Sequence, residues 1–169
     1  MHAKPAPTFP PSLRQELQTW DLIRPIAADG SNRRFYRLQG SRGSCICLYH
    51  PEPPGEPVTE NDSFYAIGRH LRRQGLLVPE IYEYCREEGW FLLEDLGNVC
   101  LQEHYLQSGP QARFGLYSQV LEVLVHLQMA GTQGFSSRWC FDTPAYDADL
   151  VRQRECLYFL QAFVTDYLG

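Results

Sequence analysis

Residues 29–38 read DGSNRRFYRL, a turn that leads directly into a strand-like run. The turn follows an extended run at 22–28, and the alternating, aromatic-rich run at 34–39 comes after it. A second turn at 40–43 leads into a third extended run at 44–50. Two tight turns in succession predict an antiparallel meander of three strands.

Helical and extended patterns continue on both sides of this meander. Apolar residues at helical spacing predict helices, and short apolar runs bounded by turn residues predict strands. The continuously apolar run at 90–94 predicts an interior strand. A small sheet with one helix, followed by a helical part, is typical of the α+β class and not of an alternating α/β fold. The predicted helices lie at 12–20, 60–74, 112–130 and 147–168, and the two further strands at 78–84 and 90–94.

Composition excludes several classes of protein. The 169 residues are 44% hydrophobic, which is too apolar for a disordered chain. A net charge of −5 gives no basic surface for a nucleic-acid backbone, so no nucleic-acid partner is predicted. No run is apolar enough for a signal peptide or a membrane span, which favours a cytoplasmic protein without a membrane partner. The six cysteines contain no C-x-x-C pair and are expected to be buried free thiols.

The turn at the start of DGSNRRFYRL is a candidate phosphate-binding loop. The small or turn-forming residues Gly30, Ser31 and Asn32 would let backbone N–H groups converge on an anion. Arg33 and Arg34 would add bidentate donors for phosphate oxygens. The alternative is an ordinary hairpin turn, which these residues also suit. When the turn is considered alone, this alternative is favoured because such turns are common.

The stretch 91–97, FLLEDLG, is a candidate base-binding segment. An apolar strand that breaks at Glu94, Asp95 and Leu96 would leave backbone groups able to pair with the edge of a purine. A buried strand that ends in two solvated carboxylates is the alternative reading, and it is favoured when this stretch is considered alone.

The hairpin 29–38 and the stretch 91–97, taken together with the helix and strand between them, resemble the aminoglycoside-phosphotransferase and choline-kinase-like family. The similarity extends over roughly 12–169 and is greatest to bacterial kinases that act on cell-wall amino sugars such as N-acetylmuramate and N-acetylglucosamine. The resemblance implies a protein-kinase-like N-lobe with its hinge at 12–97, part of a helical C-lobe at 98–169 and a disordered proline-rich tail at 1–11. It also implies that ATP binds between the lobes. Its phosphates would lie under Gly30, Ser31, Asn32, Arg33 and Arg34, and its adenine against the backbone of Glu94, Asp95 and Leu96.

Two departures from the family pattern change what the chain is expected to do. Many relatives carry a lysine on the third strand that pairs with nucleotide phosphates and with a helix glutamate. Here the chain's one lysine is Lys4, in the tail. Glu60 could be the helix glutamate, but without a lysine partner it is expected rather to be a solvated or capping carboxylate. The lysine's charge would then come from one of three arginines: Arg33, Arg34 or Arg37.

The second departure concerns the catalytic loop. Phosphoryl transfer in this family needs an H-x-D-x-x-x-x-N-like loop and a later metal-binding Asp, yet none of the five histidines is followed by Asp two residues later. Asp147 and Asp149 suit the first turn of a helix better than a metal site. We therefore expect a truncated, catalytically inactive chain, without catalytic or metal-binding residues of its own, that would use Mg²⁺ only with a missing C-terminal half.

The missing half predicts an incomplete core. A second chain could supply the C-lobe, in which case Leu157, Leu160 and Val164 on the last helix should be unburied. The alternative to a kinase half is a non-catalytic module that binds a nucleotide or a protein, and the absent lysine and catalytic loop both favour it.

Overall fold

The computed structural model describes residues 8–27, 32–53 and 55–168. Within these ranges no helix is long and apolar enough to cross a membrane. The strands are β1 Leu22–Ile26, β2 Arg34–Gly40, β3 Gly43–Tyr49, β4 Ile81–Cys85 and β5 Trp90–Glu94. The main helices are α1 Pro11–Leu17, α2 Glu60–Arg73, α3 Leu101–Gln107 and α4 Pro110–Ala130.

The strands form one antiparallel sheet in the order β1-β2-β3-β5-β4. The predicted meander of β1, β2 and β3 is therefore confirmed. The predicted interior position of β5 is also confirmed, because β5 lies between β3 and β4. β1 is an edge strand that contains Pro25, and all five of its residues are exposed.

The two faces of the sheet bury different side chains. On one face Leu38, Cys45 and Cys47 pack against Leu13 and Leu17 of α1. On the other face Leu48, Phe91 and Leu93 pack against aromatic residues of α2. Strand alternation thus separates the odd and even positions of β2 and β3 onto opposite faces. A five-stranded antiparallel sheet with helices packed on it confirms the α+β class and fits a kinase-like N-lobe.

The packed part of the chain begins earlier than the predicted end of the tail. Phe9 makes edge-to-face contacts with Tyr36 and Tyr49, at ring-centroid distances of 5.3 and 5.7 Å. α1 begins at Pro11, a residue type whose fixed φ suits the first turn of a helix. Residues 9–11 are therefore not disordered, and the predicted tail is too long at this end.

Two other predicted boundaries differ from the structure. β4 begins at Ile81 and not at Val78 because Val78 donates its N–H to Leu76 and Pro79 has no N–H to offer a neighbouring strand. The segment between β5 and the helix predicted at 112–130, for which no helix was predicted, contains the short helix α3. The sequence indicates the start of α3 only weakly, because its N-cap residue is Cys100 and not the usual Ser, Thr, Asp or Asn.

Helix α2 is fixed at its N-terminus by Asp62. Thr59 and Asp62 form a reciprocal capping box, with N–O distances of 3.0 and 3.1 Å. The Asp62 carboxylate also accepts hydrogen bonds from Tyr84 of β4 and from Arg86, at 3.0 and 2.8 Å. The bonds from Arg86 hold the pKa of Asp62 well below its ordinary range, aided by Thr59 and Tyr84 and opposed by partial burial.

We expect Asp62→Ala to lower the free energy of unfolding by about 1–2 kcal/mol at neutral pH, because it removes a cap and a bridge to β4. Since the folded-state pKa of Asp62 is depressed, its ionised form stabilises the protein above the unfolded pKa of about 4. The difference in free energy of unfolding between wild type and variant should therefore become smaller as pH falls below about 4. Urea denaturation at several pH values would measure it, and a gap independent of pH would contradict this account.

The helical part is attached to the sheet through the segment after α4. His70 of α2 is buried, lies 2.8 Å through Nε2 from the Gly131 carbonyl, and contacts the rings of Phe135 and Trp139. Ser63 accepts a hydrogen bond from the Phe141 N–H at 2.9 Å. These contacts fix 131–141 on α2.

Beyond this attachment the helices are largely unburied. No residue of α4 is buried, and its apolar side chains include Phe114 at 73% exposure. The predicted last helix is present as a stretch, 148–165, that begins with Asp147 capping the Leu150 N–H at 2.9 Å. Two of its segments, Val151–Cys156 and Leu160–Thr165, have the wider π-type hydrogen bonding.

The predicted exposed stripe on this helix is confirmed, with Leu157, Leu160 and Val164 at 53%, 50% and 40% exposure. The lack of burial also corrects the prediction for the cysteines, of which Cys45 and Cys47 are buried whereas Cys100 and Cys156 are exposed. Burial raises the pKa of Cys45 to about 11 and that of Cys47 to about 12.

Candidate functional site

A cavity of about 680 Å³ lies on one face of the sheet. Residues of β1, β2 and β3 line it, together with the end of β5 and the segment that follows. Strand alternation places Phe35 and Arg37 of β2 on this side, and the register sets Arg37 between Arg24 and Ile46. The apolar walls come from Ile26, Phe35, Ile46, Leu93 and Leu96. A concave site with apolar walls and a few polar groups is typical of sites for small organic ligands.

The predicted base-binding residues form one side of this cavity. Glu94 ends β5 by donating its N–H to the Glu80 carbonyl at 2.8 Å and accepting the Glu80 N–H through its carboxylate at 3.0 Å. After Glu94 the chain leaves the sheet. The Leu96 N–H and C=O make no hydrogen bond to any residue in the described ranges, so a ligand in the cavity could pair with them.

Arg37 binds the segment that follows β5 through an ion pair and hydrogen bonds. Its Nε lies 2.8 Å from the Asp95 carboxylate, and its Nη2 donates to Asp95 at 3.0 Å and to the Gly97 carbonyl at 2.9 Å. A further bond runs from Nη1 to the Asn98 side chain. Burial alone would raise the pKa of Asp95, but bonds from the Gly97 N–H, Ser44 and Arg37 outweigh it and hold that pKa below its ordinary value.

The predicted phosphate-binding residues are dispersed. Gly30 and Ser31 lie outside the described residues. Asn32 is exposed. Arg34 shares a face of β2 with Tyr36 and Leu38, the face that packs towards α1, so it does not line the cavity. Arg33 turns towards α2.

Arg33 forms an ion pair with Glu60, with 2.7 Å between Nη2 and Oε1. The Arg33 guanidinium carbon also lies 5.4 Å from the ring centroid of Phe64, one turn further along α2. The interpretation of Glu60 as a merely solvated or capping carboxylate is therefore wrong. It rested on the missing lysine. Arg33 was one of the three arginines expected to replace the charge of that lysine, but nothing local in the sequence indicated that Arg33 would pair with Glu60.

The same residues border a second cavity of about 370 Å³, which is almost entirely apolar. Arg33 and Glu60 lie at its polar end, and Phe64, Ile67 and Phe141 are among its walls. Pro79 borders both cavities. The two cavities are therefore neighbours.

One trio of possible metal ligands is present among the described residues: His50, Glu52 and Glu60. The His50 Nε2 lies 3.9 Å from Glu52 and 3.8 Å from Glu60. Glu60 already has a cation in Arg33. The sequence did not indicate this trio, because Glu52 lies in a proline-rich loop that only the fold returns to α2.

Comparison with known proteins identifies the family. A family model described as the phosphotransferase enzyme family matches residues 22–164, most of the chain. The chain belongs to the phosphotransferase enzyme family. The match begins with β1 and so includes the whole sheet and both cavities.

Curated relatives of this phosphotransferase-family chain are kinases. It is 30% identical over 155 residues to the N-acetylmuramate/N-acetylglucosamine kinase of Pseudomonas aeruginosa, an overlap of 91% of the chain and 41% of that kinase. It is 30% identical over 144 residues to the N-acetylmuramate/N-acetylglucosamine kinase of Pseudomonas putida, an overlap of 85% of the chain and 38% of that kinase. The chain thus spans about two-fifths of the length of these relatives. No solved structure matches it.

Proposed function

We propose that the chain is the nucleotide-binding portion of an ATP-dependent kinase for a sugar or amino sugar. The observation that carries this proposal is the cavity of about 680 Å³ bounded by Leu96, whose backbone has no partner among the described residues. Membership of a phosphotransferase family supplies the reaction class. The amino-sugar substrate is carried over from the names of the two relatives.

The residues around the cavity fit a purine nucleotide. Ile26, Ile46 and Leu96 would enclose the flat faces of the base, and the backbone from Glu94 to Leu96 would meet its polar edge. The turn that contains Gly30, Ser31 and Asn32 would lie over the phosphates, with Arg33 beside it. ATP would supply the phosphoryl group, and these residues would bind and orient it.

The remainder of the active site would come from residues outside this chain. None of the histidines begins an H-x-D motif, so the catalytic base and metal ligands of the family would lie in the part of the relatives that the chain does not match. A second chain that supplies a C-lobe would also cover α4 and the stretch 148–165, whose apolar side chains are exposed. Such an ATP-dependent enzyme would act in the cytoplasm, and the chain alone would be inactive.

Calorimetric titration of the purified chain with ATP and with adenosine tests the proposal. Both should bind, and Mg²⁺ should not strengthen ATP binding, because the proposed metal ligands lie outside the chain. Leu96→Ala should weaken both ligands. Leu77→Ala, an equal truncation at a site that is 83% exposed and outside the cavity, is the control and should change neither.

A non-catalytic binding module is the second candidate, favoured by the absence of a lysine from β3. Co-expression with a polypeptide that carries the unmatched part of a relative separates the two. ATP-dependent phosphorylation of N-acetylmuramate or N-acetylglucosamine by the pair would support the kinase. Nucleotide binding without any such activity would support the module, and failure of the chain to bind either ATP or adenosine would overturn the proposed function.

A further inference from the structure

Three side chains that could bind a metal ion meet where β3 ends and α2 begins. His50 directly follows β3, Glu52 lies two residues further along the chain, and Glu60 is the first residue of α2. Their ligand atoms all lie within 4.8 Å of one another. The set combines an imidazole nitrogen with two carboxylate oxygens, so it differs from the purely acidic clusters that are common on protein surfaces.

The separations within this trio suit a shared ion better than direct hydrogen bonds. The His50 Nε2 lies 3.9 Å from the Glu52 carboxylate and 3.8 Å from the Glu60 carboxylate. Both distances are too long for a hydrogen bond. Two ligand atoms on a tetrahedral zinc ion, each at about 2.1 Å from the metal, are about 3.4 Å apart. Side-chain movements of about 0.5 Å would therefore bring the three atoms to bonding distance from one ion.

Contacts outside the trio hold its ligands in place. Asn61 donates its backbone N–H to the Glu52 carboxylate at 3.0 Å and its side-chain N–H to the His50 carbonyl at 2.7 Å. Arg33 contacts Oε1 of Glu60 at 2.7 Å, whereas Oε2 of Glu60 is the oxygen that lies 3.8 Å from His50. The ion pair with Arg33 therefore leaves one Glu60 oxygen for a metal. Outer contacts of this kind orient metal ligands.

An unsatisfied oxygen lies beside the trio. Asn61 is 1% exposed, and its Oδ1 has no hydrogen-bond partner within the described ranges. Because buried polar atoms nearly always have a partner, an unpaired one indicates that a water or an ion belongs next to it. The N–H groups of Asn61 contact His50 and Glu52, so that water or ion would lie close to both residues. A water bound to the metal would supply the missing donor.

A cavity of about 340 Å³ gives an ion access to the trio. All three ligands line this cavity together with Glu56, and its other lining residues are uncharged. Arg33 balances one of the three carboxylates, so with His50 neutral two negative charges remain, which match a divalent cation. The imidazole favours Zn²⁺, which accepts nitrogen and oxygen ligands together, whereas Mg²⁺ and Ca²⁺ prefer oxygen ligands.

We infer that His50, Glu52 and Glu60 form a binding site for a zinc ion, with water completing its coordination. His50 would bind through Nε2 and each glutamate through one carboxylate oxygen. The bound ion would join the loop after β3 to the first turn of α2. The site does not depend on the proposed function, because none of its ligands lines the cavity proposed for the nucleotide.

Calorimetric titration of the full chain with Zn²⁺, after treatment with a chelator and its removal, tests the site. The wild-type chain should bind zinc, and His50→Gln should weaken that binding roughly tenfold or more because a ligand is lost. Glu52→Gln should have a similar effect and serves if His50→Gln does not fold. His104→Gln removes an exposed histidine of α3 and is the control, which should bind zinc as the wild type does. Mg²⁺ should not displace the zinc.

Zinc also has affinity for thiols, and Cys100 and Cys156 are exposed. Cobalt(II) distinguishes the two kinds of site, because thiolate ligands give it an intense near-ultraviolet charge-transfer band that nitrogen and oxygen ligands do not. The wild-type chain should bind cobalt without this band. Zinc should raise the melting temperature of the wild type and of His104→Gln but not that of His50→Gln.

Three results would overturn the zinc site. They are a wild-type chain that does not bind zinc, equal zinc affinity in the wild type and His50→Gln, and a thiolate band that accounts for all of the bound cobalt. Melting temperatures measured without zinc establish that each variant is folded. None of these results bears on the nucleotide, so the zinc site and the proposed function fail separately.

Discussion

Replacing Phe91 with alanine is expected to lower the free energy of unfolding by about 3–5 kcal/mol, the largest stability effect of any change considered. Phe91 is fully buried and is the second residue of β5. Its ring stacks on Tyr84 with 4.2 Å between centroids and meets Phe64 edge-to-face at 5.4 Å. The variant would leave a cavity between the sheet and α2 that these rings cannot fill without leaving their own contacts.

Urea denaturation followed by circular dichroism would measure this loss. Tyr82→Ala, an aromatic truncation on the adjacent strand β4 at a site that is 56% exposed, is the control and should change stability by no more than about 0.5 kcal/mol. Equal losses at Phe91 and Tyr82 would mean that α2 does not pack on the sheet as described. The same packing holds Glu60 and Phe64 beside Arg33.

Arg37→Met is expected to affect both stability and ligand binding. It leaves the Asp95 carboxylate, whose side chain is 7% exposed, without its cation, at a cost of about 1–3 kcal/mol. It also releases the Gly97 carbonyl and the Asn98 side chain, so the backbone at Leu96 is less well placed for a base. Adenosine and ATP should therefore weaken together, roughly tenfold for each 1.4 kcal/mol lost.

The matched control for stability is Arg24→Met. Arg24 lies opposite Arg37 on β1 and forms no ion pair with a described residue, so its removal should alter the free energy of unfolding by no more than about 0.5 kcal/mol. If Arg37→Met lowered the free energy of unfolding no more than Arg24→Met, the ion pair between Arg37 and Asp95 would not stabilise the folded state. If it weakened ATP but not adenosine, Arg37 would act on the phosphates and not on the base-binding segment.

Local patterns in the sequence were sufficient for most of the sheet. Turn residues and alternation located β1, β2 and β3, and the apolar run 90–94 located β5, because such signals depend on neighbours along the chain. The start of β4 was misplaced because it depends on where Val78 and Pro79 direct their backbone groups. The place of Phe9 depends on rings from β2 and β3, which no local pattern reveals.

The cavity wall at the end of β5 was predictable from the sequence, and the partners of the arginines were not. The residues Glu94, Asp95 and Leu96 form a cavity wall as a direct result of ending an apolar strand. In contrast, the partners of Arg33 and Arg37 are set by tertiary contacts across 27 and 58 positions, and three similar arginines within five residues cannot be told apart by composition. Strand alternation separates Arg34 from Arg37, but it does not say which carboxylate each one meets.

Pro25 has a consequence for how the chain would self-associate. An exposed edge strand can serve as a template on which another molecule adds a strand, and a proline interrupts that template because it lacks an N–H and cannot complete the hydrogen-bond ladder. Strand addition at β1 is therefore disfavoured, whereas the exposed apolar side chains of α4 and of the stretch 148–165 offer a surface through which isolated chains would associate. Assemblies formed in this way should keep the monomer's secondary structure, without the gain in β content that marks amyloid growth.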